Sequence, residues 1–326
     1  MSAARRLLRA VIALLAVSVA AGLALGPREP VDRQLSFDAA ALPEDLDAWL
    51  AAREGAVPDL RPAARKRIVW AGDPGARTPL SVVYLHGFSA SAEEIRPVPD
   101  RVAEALGANL FFARLTGHGR DGAAMAAARA GDWIEDTAEA VAIGRRIGRE
   151  VVLMGTSTGG TLAALAALDP ALSERLAGIA LVSPNFRIGE PGAALLALPW
   201  ARRWLPGVVG AERGFAPENP GHAAHWTTRY PSVSVLPVAA LVAHVRGLDP
   251  GRAAVPALFL YSEHDAVVAP SATVRVAEAW GAPATLRPVV PAPGDAPDGH
   301  VIAGDILAPG STDRVVRLVL AWAEGL

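Results

Sequence analysis

Gly155-Thr156-Ser157-Thr158-Gly159 lies between an apolar run, Glu150–Met154, and a stretch of small residues, Gly160–Leu168. The run predicts a strand and the stretch predicts a helix. Strand, G-x-S-x-G, helix is the arrangement of a nucleophile elbow. Such a turn is so tight that its serine is forced into strained backbone, and the residues two places either side must be nearly free of side chain. Gly155 and Gly159 meet that demand. Position 157 is thereby predicted to hold a nucleophilic hydroxyl at the carboxyl end of a strand.

Working outward, the same alternation repeats. Arg67–Ala71 and Leu80–Leu85 read as strands, Glu93–Leu106 as a helix, Asn109–Ala113 as a strand and Trp133–Ile147 as a helix. Beyond the elbow, Gly178–Ser183, Val255–Tyr261 and Ala284–Val289 read as strands, with helices over Ala272–Trp280 and Thr312–Glu324. Short apolar strands alternating with helices predict an α/β fold. Its mostly parallel central sheet is covered by helices on both faces. In such sheets the ligand sits beyond the carboxyl ends of the strands. Residues 184–254 break the alternation; they are rich in proline, glycine and tryptophan (Trp200, Trp204, Trp226). A segment of that length is not structureless inside a domain, so it is expected to form an inserted helical cap, its tryptophans lining a pocket or packing the cap. The expected organisation is therefore 1–26 as a signal peptide or membrane anchor, 27–66 as a lead-in, and 67–326 as the catalytic domain.

A serine hydroxyl attacks well only when a base takes its proton and a carboxylate orients that base. The elbow arrangement orders these groups serine, acid, histidine along the chain. Of seven histidines, His86, His118, His222, His225, His244, His264 and His300, only His300 follows the late strand Val255–Tyr261 and the acids after it. Asp265 is the favoured acid, with Glu263 the alternative. The oxyanion needs two N–H donors. One is expected from Thr158, at the start of a helix, and the other from Phe88, in the loop His86-Gly87-Phe88-Ser89. His86 is then a loop brace.

Composition narrows the possibilities. The chain has 326 residues, 52% hydrophobic and 20% charged, with net charge −2. Those values fit a packed globular protein and give no reason to expect nucleic acid. There is no cysteine, which excludes a thiol nucleophile, thiolate metal ligands and disulfides. No cofactor fingerprint is present, and His222-x-x-His225 with His244 nearby lacks the accompanying carboxylates of a metal site. Arg5, Arg6 and Arg9 precede Ala10–Gly26, which carries no charge. That is the form of an export signal or an anchor, with Val19-Ala20-Ala21 offering a cleavage site. The arginines should stay inside and the domain should lie outside the cytoplasm.

The ordered set His86-Gly87-Phe88, Thr116-Gly117-His118-Gly119, Gly155–Gly159, Asp265 and Gly299-His300 resembles the α/β-hydrolase fold superfamily. It is most similar to the capped bacterial serine esterases and monoacylglycerol-lipase-like members, over about Arg67 to Leu326. The resemblance implies a Ser157–Asp265–His300 triad, an oxyanion hole of Phe88 and Thr158, and a structural role for His118. Many relatives carry histidine or a bulkier residue beside the nucleophile, where this chain has Thr156 and Thr158. The implied activity is hydrolysis of small-molecule carboxylic esters. Peptidase, thioesterase and acyltransferase chemistry are alternatives on the same scaffold, as is a non-catalytic binding role.

Overall fold

The structure is a computed structural model that describes residues 3–326. Its strands are β1 (Arg67–Val69), β2 (Thr78–Leu85), β3 (Asn109–Phe112), β4 (Gly148–Thr156), β5 (Leu176–Val182), β6 (Glu212–Gly214), β7 (Arg229–Pro231), β8 (Ala257–Tyr261) and β9 (Ala284–Pro288). Seven of them form one sheet in the order β1-β3-β2-β4-β5-β8-β9. Only β1 runs antiparallel. The chain order reverses between β2 and β4, which are neighbours in register Leu85↔Gly155. Loops leaving these two strands diverge, and a crevice opens between them.

Alternation along the strands builds a core on each face. Val83, Leu85, Val151 and Leu153 point to one side, against the helices Ala130–Ile147, Thr158–Leu168, Leu236–Arg246 and Pro270–Glu278. Val82, Tyr84, Val152 and Met154 point to the other, against Val98–Ala105 and Pro309–Ala323. The helix Thr158–Leu168 is buried along all of its length but Leu168, which is why its sequence shows no polar face. At about 25 cal/mol per Å² of apolar surface, a fully buried core side chain contributes roughly 1.5–3 kcal/mol.

The lead-in is tied to the domain. Leu46 and Leu50 of the helix Leu46–Gly55 join the core, and Glu54 receives two bonds of 2.7 Å from the buried Arg114. Lys66, the one lysine of the chain, has its side chain buried beside Asp136 and Glu139.

Two local expectations change. The helix expected from Glu93 begins only at Val98. Pro97 disfavours a helical backbone before it and Pro99 fits the first turn of the helix that follows, so residues 92–97 form turns. The cap is also not purely helical, for β6 and β7 make an antiparallel ribbon in it. The last helix of the expected insertion, Leu236–Arg246, joins the main core through Leu241 and Val242, packing on the helices Thr158–Leu168 and Ala130–Ile147.

Candidate active site

Ser157 takes φ 52°, ψ −113° between β4 and the helix Thr158–Leu168. The glycines are required by contact. A Cβ on Gly155 would fall 2.3 Å from the Gly159 carbonyl oxygen, and one on Gly159 would fall 2.1 Å from that of Leu85. The Ser157 N–H donates to the Val182 carbonyl (2.9 Å), and its own carbonyl accepts from Asn185 N–H (3.1 Å). These bonds hold a conformation that costs on the order of 1–3 kcal/mol.

The structure brings Ser157, His300 and Asp265 together. Ser157 Oγ lies 2.9 Å from His300 Nε2, and His300 Nδ1 lies 2.8 Å from Asp265 Oδ2. Asp265 Oδ1 accepts from the N–H groups of Val267 and Val268 at 2.8 and 2.9 Å, which fixes the carboxylate in its turn. Glu263, the alternative acid, is exposed and makes no bond to the imidazole. Burial opposes a charge on His300. The Asp265 hydrogen bond and the charges of Asp265, Asp298 and Glu94 outweigh it, and its pKa stands above the ordinary 6.5. A neutral His300 donating from Nδ1 to Asp265 presents a lone pair at Nε2 to the serine.

The loop after β2 supplies the opposite wall. His86 is fully buried; its Nε2 accepts from Leu115 N–H (3.1 Å), so its proton sits on Nδ1 and bonds the Gly87 carbonyl (2.8 Å). Burial pushes its pKa down to about 4, so it stays a neutral brace. In a trans peptide the N–H points away from the carbonyl. Holding the Gly87 carbonyl toward His86 therefore turns the Phe88 N–H the other way. The first amide of a helix, here Thr158, has no intrahelical partner, and both Phe88 and Thr158 line the same cavity as Ser157 and His300. The ring of Phe88 is held edge-on by His118, Trp133 and Tyr230.

Glu94 was not among the residues expected from sequence. It is 2% exposed; its Oε2 accepts from Gly87 N–H (2.7 Å) and from the Tyr84 hydroxyl (2.9 Å), which is 3.0 Å from Thr156 Oγ1. Thr156, the departure noted beside the nucleophile, thus belongs to a buried network beneath the cavity. Burial dominates and raises the Glu94 pKa to about 7, against the hydrogen bonds from Gly87 and Tyr84. In the sequence Glu93-Glu94 looks like a solvated helix start. The signal that could have found it is the pair Pro97 and Pro99, which puts both acids in the loop beside the oxyanion donors.

The cavity measures ≈ 360 Å³, a size suited to a small ligand. Apolar cap side chains, among them Ile188, Leu196, Phe215, Trp226, Val235 and Val238, form most of its roof. Of the cap tryptophans, Trp226 lines it, while Trp204 Nε1 bonds the Pro199 carbonyl away from it. His222 stacks on Phe215 and takes the Glu218 N–H at Nδ1. Among the described residues no cluster of three histidines or carboxylates is arranged to hold a metal.

Comparison with known proteins agrees with this fold. A sequence profile described as "Serine aminopeptidase, S33" matches residues 77–288. The thermostable monoacylglycerol lipase of Bacillus sp. (strain H-257) is 28% identical over 194 residues, covering 59% of this chain and 73% of that protein. A structure described under LipS and LipT, two metagenome-derived lipolytic enzymes, superposes with TM-score 0.64 at 24% identity, over 82% of this chain and 100% of that one. A soluble variant of monoglyceride lipase from Saccharomyces cerevisiae gives TM-score 0.56 at 10% identity, over 80% and 91%. At those identities the structural matches speak for the fold.

Proposed function

Since the chain belongs to the serine aminopeptidase S33 family and is an esterase/lipase-like α/β-hydrolase, we propose that it cleaves carboxylic esters through Ser157, His300 and Asp265 by an acyl-enzyme. The observation that carries this reading is the unbroken chain of bonds from Ser157 Oγ to His300 to Asp265.

His300 Nε2 takes the Ser157 proton as Oγ bonds to the acyl carbon, and the carbonyl electron pair moves onto oxygen. The Phe88 and Thr158 N–H groups, the latter at a helix N-terminus, stabilise that oxyanion. As the pair returns, the C–O bond to the alcohol breaks, and His300 gives its proton to the departing oxygen. Water then repeats the sequence on the acyl-enzyme, releasing the acid and restoring Ser157. Asp265 holds the imidazole tautomer and stabilises the imidazolium without taking its proton.

The apolar roof favours an acyl or alkyl chain over a charged substrate. The N-terminal helix Ala3–Leu25 is long and apolar enough to cross a membrane and has no buried residue. We read it as an export signal or anchor that leaves the domain outside the cytoplasm. The test is labelling by a fluorophosphonate together with hydrolysis of chromogenic esters of rising chain length. Labelling should vanish in Ser157→Ala, and activity should fall by at least about 10⁴. Full activity in that variant would sink the proposal. Amide, thioester and acyl-transfer substrates in the same panel separate the alternative reactions.

A further inference from the structure

The segment leaving the N-terminal helix is bolted to the cap. A Cβ on Gly26 would fall 2.3 Å from Trp200 Nε1 and 2.7 Å from Pro199 Cβ, and Trp200 N–H donates to the Pro27 carbonyl at 2.7 Å. Three residues on, Glu29 accepts two bonds of 2.6 Å from Arg202 and one of 3.2 Å from Arg129, with its side chain 3% exposed. Arg202 opens the cap helix Ala201–Val209, and Arg129 precedes the core helix Ala130–Ile147. The joint therefore couples the apolar helix to the cap and to the domain beneath it.

Around this joint the cap turns apolar side chains outward. Leu195, Leu198, Trp200, Val208 and Val209 are between 37% and 72% exposed. Single exposed apolar residues need no explanation, but such a group within one short segment does. We propose that this outer face of the cap docks on the bilayer beside the N-terminal helix, and that ester substrate enters the cavity from the lipid phase.

Three features favour lipid over another protein. The helix that would span the membrane ends at the patch itself, so anchoring places the patch at the interface. Trp200 carries Arg203 over its ring at 4.7 Å, and Arg28, next in the chain to the Pro27 that Trp200 binds, is exposed; an interfacial tryptophan with flanking arginines suits an anionic headgroup layer. The apolar surface also continues inward, since one turn, Ala193–Ala197, presents Leu195 to the outside and Leu196 to the cavity over Ser157. A chain drawn from the bilayer would pass from apolar surface to apolar surface without crossing water. The inference rests on the proposed reading in one respect, that the helix is retained as an anchor.

The absence of cysteine permits a single-thiol test on the full chain. Val208→Cys, and Glu104→Cys as an exposed reference on the helix Val98–Ala105, are labelled with nitrobenzoxadiazole. Each is then reconstituted in phosphatidylcholine–phosphatidylglycerol vesicles. The label at 208 should emit blue-shifted light and be quenched by spin-labelled lipid, while the label at 104 should do neither. A label at 208 as wet as that at 104 overturns the proposal. So does a blue shift without lipid quenching, which would mean that a second copy covers the face. Leu198→Asp with Val208→Asp should slow hydrolysis of a long-chain ester carried in vesicles roughly tenfold, the factor that about 1.4 kcal/mol of lost apolar contact carries. Its rate on a water-soluble short-chain ester should be unchanged. Parent-like rates of this variant on both substrates, or a native protein found to have lost residues 1–26, also overturn it. A Ser157 inert to fluorophosphonate would defeat the esterase reading yet leave the probe results standing, so the two failures are distinguishable.

Discussion

The floor of the cavity and its roof are built on opposite terms. Beneath, atoms are in close contact: a Cβ on Gly155 or Gly159 would fall 2.3 or 2.1 Å from backbone oxygen, one on Gly87 would fall 2.6 Å from the Glu94 carboxylate, and Glu94, His86 and Tyr84 are sealed. Above, a three-residue ribbon and short helices hold apolar side chains around open space. The contrast teaches where chemistry and selectivity reside. A reaction centre must hold its atoms to a fraction of an ångström, whereas an apolar pocket discriminates between chains by only about 1–3 kcal/mol.

The sharpest way to break that contrast is one methyl group in the floor. In Gly159→Ala the new Cβ meets the Leu85 carbonyl, which cannot yield. Destabilisation should exceed about 4 kcal/mol, a large share of a domain's 5–15 kcal/mol, and should appear as a collapse of thermal unfolding temperature or of soluble yield. Next comes Asp265→Asn. It keeps the shape but removes the charge that holds His300, and should lower kcat about 10⁴-fold. In the parent enzyme the base must be neutral and its pKa is raised, so the acid limb of kcat/KM should lie above pH 6.5. The limb should move to lower pH in the residual activity of the Asn variant.

Glu94 offers a third break. Its folded pKa of about 7 exceeds the ordinary 4.5, so between those values the folded chain holds a proton that the unfolded chain has released. Unfolding free energy should therefore fall as pH rises through this window, by on the order of 3 kcal/mol. Glu94→Gln should flatten that part of the slope in denaturant titrations at pH 5 and pH 8. The raised pKa of His300 works in the same direction and should leave a shallower residual slope. Glu94→Ala, which leaves Gly87 N–H without its acceptor, should lower kcat about tenfold with KM little changed. The roof should respond least: Trp226→Ala is expected to raise KM several-fold for long acyl chains and hardly touch kcat, measured across an ester series. A kcat loss there as large as in the floor would erase the distinction drawn above.

The floor was the legible part. G-x-S-x-G between strand and helix, followed in order by a favoured acid, Asp265, and one histidine, is an ordered set that few sequences satisfy by chance. The main strands were legible too, because burial on both faces leaves continuous apolar runs such as Val151–Met154. Glu94 was not legible, since its role depends on a turn bringing it back under Gly87. The ribbon was not legible either. Glu212-Arg213-Gly214 and Arg229-Tyr230-Pro231 are too short to show a period, and their pairing depends on where the cap sends the chain. The joint at Glu29 is hidden for the same reason, its partners lying 100 and 173 residues away.

The cap begins at the end of β5 and returns through the helix Leu236–Arg246, which is fastened to the core helices Thr158–Leu168 and Ala130–Ile147. Both of its moorings thus belong to the framework, and the span between them is a detour. Lengthening a detour costs little, about 0.6 kcal/mol for each doubling, and no strand pairing need change. A lineage carrying this scaffold can rewrite its roof, and so the esters it accepts, by insertion and deletion, while the ground beneath Ser157 stays closed to a single methyl.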